Sequence, residues 1–91
     1  MIPNTYKYLG AGANQVISTK PIVLKRITIG KDVASSVIEI SDSIDDGDSN
    51  IMIQIEGSTL IGTWDFNVRF LKGCTMDIAN QTNITVEYLN I

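Results

Sequence analysis

The sequence predicts an all-β domain, an antiparallel β-sandwich or jelly-roll-like barrel of about eight short strands, on three observations. The first is the kind of apolar residue: fifteen Ile and six Val stand against five Leu and four Ala. β-Branched side chains are stiff at χ1 and suit a pleated surface, whereas Ala and Leu favour helices. The second is a period of two that recurs in segment after segment. The third is regular punctuation by Gly, Pro, Asn, Asp and Ser, with no stretch of ten residues carrying a helical apolar stripe.

Taken in order, the strands are predicted at 5–9, 15–19, 22–29, 37–41, 51–56, 63–70, 74–79 and 84–90. Tyr6, Tyr8 and Leu9 precede Gly10-Ala11-Gly12, so residues 1–14 read as an ordinary first strand or as an N-terminal arm that pairs with a neighbour's sheet edge. From Ile22 to Ile29 the phase changes. Ile22 and Leu24 share one parity and Ile27 and Ile29 the other, with Lys25-Arg26 between. Unbroken alternation would send one pair into water, which predicts a β-bulge at Lys25-Arg26 and a corner where the strand can change sheets. Ile38 and Ile40 flank Glu39, and Ile51, Ile53 and Ile55 alternate with Met52, Gln54 and Glu56. Trp64, Phe66, Val68 and Phe70 alternate with Asp65, Asn67 and Arg69, the strongest strand signal in the chain. Cys74, Met76 and Ile78 flank Thr75 and Asp77, and Ile84, Val86 and Tyr88 flank Thr85 and Glu87. Each set turns one face inward and the other, Glu87 included, to water.

Ninety-one residues make one domain, 1–91. A domain this small buries roughly 60–65% of its unfolded surface, so its core is thin. One cysteine allows no internal disulfide, and no histidine is present to serve as a metal ligand. Self-association is the stabiliser that remains. Net charge is −3 with seven scattered basic residues, of which only Lys25 and Arg26 adjoin, a pattern unlike a nucleic-acid surface. Met1-Ile2-Pro3-Asn4 has neither a basic nor an apolar leader region, and no apolar run is of membrane-spanning length, so a soluble chain made in a cytoplasm is expected.

Motifs for catalysis are sparse. Without histidine no Ser-His-Asp or Cys-His arrangement forms. Cys74 shares parity with Met76 and Ile78 and reads as a buried structural thiol. The glycines match no phosphate loop, and a sandwich of this size offers no deep cleft for paired carboxylates. No enzyme activity and no cofactor are expected. Within Asp42–Asn50, Asp46, Asp48 and Asn50 have the i, i+2, i+4 spacing of a calcium loop, and oxygen-only ligands suit that ion. The glycine, however, falls at the second position of that loop and no Glu stands at the twelfth, so the stretch also reads as a solvated turn. Asn80-Gln81-Thr82 and Asn83-Ile84-Thr85 are sequons that read as turn chemistry. Trp64 reads as core filling, with a sugar-stacking platform as the other use.

Three stretches carry a family resemblance: Ser18-Thr19-Lys20-Pro21-Ile22-Val23-Leu24-Lys25-Arg26-Ile27-Thr28-Ile29-Gly30; Val37-Ile38-Glu39-Ile40-Ser41-Asp42; and Phe66-Asn67-Val68-Arg69-Phe70-Leu71-Lys72-Gly73-Cys74 with the closing strand Asn83-Ile84-Thr85-Val86-Glu87-Tyr88. Together they resemble small β-sandwich virion proteins of tailed bacteriophages. The resemblance spans residues 16–90, and Cys74 departs from it where members of that kind often carry Leu. It implies a non-enzymatic capsid decoration or auxiliary head protein in the virion, binding the major capsid protein lattice, self-associating with a trimer favoured, and meeting neither nucleic acid nor membrane. The alternative is a receptor- or carbohydrate-binding module of a tail or fibre. Tyr6, Tyr8 and the basic pair Lys25 and Arg26 are the candidate docking residues.

Overall fold

The computed structural model describes residues 4–91, so Met1, Ile2 and Pro3 of the candidate arm lie outside the described residues. Eight strands follow one another: β1 (Thr5–Leu9), β2 (Gly12–Ser18), β3 (Ile22–Ile29), β4 (Val33–Ser41), β5 (Ile51–Thr59), β6 (Gly62–Phe70), β7 (Cys74–Ala79) and β8 (Ile84–Asn90). They form two four-stranded antiparallel sheets, β1-β8-β3-β6 and β2-β7-β4-β5. That order is the double Greek key of a jelly roll, in which the chain repeatedly crosses between two facing sheets. The sandwich is an ordinary all-β domain in class, and no helix long and apolar enough to cross a membrane occurs among the described residues.

Inward residues of both sheets fill one core. Ile22, Leu24, Ile27 and Ile29 of β3, Ile38 and Ile40 of β4, Phe70, Met76, Ile84 and Val86 are all fully or almost fully buried. The four internal strands β8, β3, β7 and β4 supply nearly all of it, β3 the most, because their inward positions carry Ile, Leu, Val and Met.

The phase change in β3 is a bulge. The register shifts between Leu24 and Arg26 against both neighbours. Between the row Tyr88–Leu24–Val68 and the row Val86–Ile27–Trp64, β8 advances two residues, β3 three and β6 four. The slack in β6 is taken up at Asn67, whose φ of 56° lies in the left-handed region that Asn tolerates. Each strand is therefore one residue longer than its neighbour across this stretch, and the sheet bends while Leu24 and Ile27 both keep facing inward. The expected change of sheet does not occur: β3 pairs with β6 and β8 along its whole length, from Ile22 to Ile29.

Other departures have local causes. β4 and β5 extend through Ser- and Gly-rich segments expected as turns, because Ser36 is buried and its hydroxyl reaches Thr59 Oγ1 at 3.3 Å, while Ser58 donates to the Ala34 carbonyl at 3.1 Å. β2 begins at Gly12 by way of an irregular register that passes Asn14 at φ 52°.

The two lateral sides of the sandwich differ. On the β1/β2 side, Lys7 donates from Nζ to the Val16 and Ile17 carbonyls at 3.2 Å, and the Tyr88 hydroxyl donates to the Ile17 carbonyl at 3.4 Å. These bonds tie the two edge strands together. On the β5/β6 side, Ile53, Ile55, Phe66 and Val68 are only partly buried against the core, and Leu60 and Ile61 of the connection are exposed. Trp64 belongs here too. Its register partner is the buried Ile27, so it faces inward, yet on an edge strand it keeps 36% of its surface in water.

Candidate functional site

Because opposite residues of antiparallel strands share a face, the register alone lays out the outer surface of the first sheet. One row runs Tyr6–Glu87–Arg26–Asp65 and the next Tyr8–Thr85–Thr28–Thr63. Three of the four docking residues predicted from sequence thus meet on one face. Tyr6 and Tyr8 are 58% and 83% exposed, large rings with little of their area used by the fold.

Arg26 is committed within its row. Its Nε lies 3.2 Å from Asp65 Oδ1 and its Nη1 3.4 Å from Glu87 Oε1. The bend is therefore not a free basic patch: two carboxylates offset the guanidinium, which in turn holds the row in register. Lys25 sits in the bulge beside it and makes no ion pair among the described residues. Glu87 is the surprise of this face. Expected in water, it is buried, covered by Arg26 and by a hydrogen bond from the Asn4 side-chain amide. A partner charge and a hydrogen-bond donor stand where water would otherwise solvate it.

The acidic loop distributes its residues differently from a calcium loop. Asp46 Oδ1 accepts the Asp48 amide at 2.9 Å, and the Asn50 side chain donates to the Asp42 carbonyl at 3.4 Å. The Asp48 carboxylate instead joins Glu39 and Asp77 on the outer face of the second sheet, with all three within 4.8 Å of one another. A cavity of about 180 Å³ adjoins Glu39 and Asp77. A shared hydrogen bond with Asp77, the charge of Asp77 and the nearby Glu39 push Asp48 up to about 6. Its unfolded value is near 3.8, so the folded state holds the extra proton between the two. Stability should therefore fall as pH rises from about 4 to 6 and stay at that lower level above. Asp48→Asn is expected to shift the urea midpoint upward at pH 8 and to leave it nearly unchanged at pH 4. Equal midpoints at both pH values would refute the repulsion.

At the other end of that loop, Asp42 is a structural carboxylate. It accepts the amides of Leu71, Lys72 and Gly73 at 3.0, 2.8 and 3.3 Å. Gly73 has no room for a side chain, since a Cβ there would stand 2.5 Å from the Ser18 carbonyl. Cys74, next in the chain, is fully buried. Burial, helped by the Asp42 charge, pushes its thiol up to about 12, so it supplies no thiolate at neutral pH.

Sequence reasoning missed Gln81. Its carboxamide is fully buried and makes four hydrogen bonds that hold the β7–β8 loop against the β3–β4 loop and Thr59. Nothing in the polar run Asn80–Asn83 distinguishes a buried anchor from a solvated turn residue. Compared with known proteins, the chain matches no family model, no curated protein and no solved structure.

Proposed function

We propose that the chain is a non-enzymatic structural protein of a bacteriophage virion, a capsid decoration or auxiliary head protein that docks on the lattice of the major capsid protein through the outer face of its first sheet. The observation that carries this reading is the pairing of Tyr6 and Tyr8 on one outer face with an ordered ion row. Exposed aromatic rings on a rigid sheet are good interface anchors, because they bring large contact area with few rotamers to lose. The motif resemblance supplies the class of partner. Jelly-roll topology is compatible with it but is shared by lectins and cupins, so topology alone does not decide.

The half-open β5/β6 side supports self-association. Two unpaired nine-residue edges flank partly buried Ile53, Ile55, Phe66 and Val68, and a second copy would cover both the edges and the apolar row. A trimer placed on a symmetric lattice would multiply weak contacts into firm attachment. In light scattering, the isolated protein is expected to run above 10.0 kDa.

Docking is tested by cosedimentation with expanded empty heads of the phage whose genome encodes the chain. Wild-type protein should pellet with the heads, and Tyr6→Ala should weaken binding by about tenfold or more, the loss of a ~1.4–2 kcal/mol anchor. Failure of the folded wild-type protein to pellet at any concentration would defeat the reading.

A further inference from the structure

At the end of the sandwich where β1 and β3 finish and β8 starts, a cavity of about 270 Å³ opens beside the Tyr8 ring. Leu9 and Ile84 give it apolar walls, and Thr28, Thr82, Asn83, Thr85 and Gly30 complete the lining. No charged side chain lines it. This combination restricts what can bind. An anion would find no cation, a metal no carboxylate, and a wholly apolar ligand would strip water from the Thr82 and Thr85 hydroxyls and the Asn83 carboxamide without replacing its hydrogen bonds, the Thr28 hydroxyl being paired with Thr63 at 3.2 Å. A neutral molecule carrying several hydroxyls on an apolar ring skeleton satisfies every wall at once. The volume lies just under the roughly 300 Å³ at which drug-sized pockets begin, which suits one ring and not a chain of them.

The polar walls are held in place from behind. Gln81 donates from Nε2 to the Lys31 carbonyl at 3.0 Å and to Thr59 Oγ1 at 2.8 Å, and its Oε1 accepts the amides of Thr82 and Asn83 at 2.9 and 3.4 Å. The Gly30 amide donates to the Asn83 carbonyl at 2.8 Å. These bonds use the loop's backbone and leave its side chains free. Thr82, Asn83 and Thr85 make no side-chain hydrogen bond to any described residue. A Cβ at Gly30 would stand 3.4 Å from the Asn83 Cβ, beside the cavity and without a clash. A buried carboxamide that fixes an exposed, unpaired set of donors and acceptors beside an aromatic ring is the layout of a preorganised binding site.

We propose that this cavity binds a neutral hexopyranose ring, the Tyr8 ring covering the sugar's C–H face and Asn83 with the threonine hydroxyls bonding its hydroxyl groups. A single shallow site of this kind holds its ligand at about millimolar Kd. The cavity shares Tyr8 and the row Tyr8–Thr85–Thr28 with the docking face, so the free chain is the form that binds the sugar; Tyr6 lies in the adjoining row outside the cavity, which lets a variant separate the two roles.

The test is amide-resolved NMR titration of the full chain with methyl glycosides of glucose, galactose and mannose. At least one should shift the amides of residues 8, 28 and 82–85 with saturation below about 0.1 M. Asn83→Ala, which keeps the backbone bond to Gly30, and Gly30→Leu, which adds bulk to the lining without removing a polar group, should each weaken binding at least tenfold. Tyr6→Ala should leave it unchanged. Absence of shifts for all three glycosides, shifts centred elsewhere on the molecule, or equal binding by the folded Gly30→Leu variant would each overturn the proposal.

Discussion

Replacing Phe70 with alanine is expected to remove about 3–5 kcal/mol of folding stability, the range for emptying a large aromatic from a packed core. Phe70 is fully buried and heads the set of large, fully enclosed side chains. It ends β6 opposite Ile22, so it is the point at which an otherwise half-exposed edge strand is anchored. A domain of this length has a total stability of roughly 5–14 kcal/mol, and the substitution therefore consumes a large share of it. Urea denaturation is the appropriate check, with Phe70→Leu, which keeps most of the apolar volume, as a milder control at about 1–2 kcal/mol. A loss under 1 kcal/mol for Phe70→Ala would mean that β6 does not close this core.

Asp42→Ala should be nearly as damaging, at about 3 kcal/mol, because it leaves three backbone amides of the β6–β7 connection without their acceptor. The same carboxylate shapes the acid side of the stability curve. Burial by itself would raise its pKa, but the amides of Lys72, Leu71 and Gly73 and the Lys72 charge outweigh it and hold the group below 3.8. The unfolded chain therefore takes up this proton first. Asp42's contribution is fully present above pH 4 and is lost as pH falls through the lowered folded value. Asp42→Asn keeps one acceptor oxygen and should be intermediate in urea, with a flatter acid limb than wild type. An acid limb unchanged in Asp42→Asn would show that other carboxylates set it.

The fold was largely legible because the features that specify it are local and periodic. Ile, Val and Thr at alternating positions mark strands whatever their partners, and the parity conflict between Leu24 and Ile27 marked the bulge before any pairing was known. The corner assigned to the same residues was not legible. A bulge bends a strand, but whether the strand then changes sheet depends on its neighbours, and here Asn67 of β6 yields with it so that both stay in one sheet. The face proposed for docking was half legible. Exposed tyrosines can be guessed from an alternating strand, but Glu87 and Asp65 reach Arg26 from strands far along the chain, and long-range pairs leave no periodic trace. Asp48 likewise spaces like a ligand with Asp46 and Asn50, yet its carboxylate meets Glu39 and Asp77 across the sheet. Gln81 and the cavity beyond it depend on loop closure, for which a run of Asn, Gln and Thr gives no direction.

The proposal that this small jelly roll is a part of a virion head is tested most directly by mass spectrometry of purified phage particles produced by a host that carries the gene, with heads and tails separated before digestion. The account predicts the chain in the head fraction at a copy number comparable to that of the major capsid protein. Its absence from purified heads, or its presence in the tail fraction alone, would contradict the account.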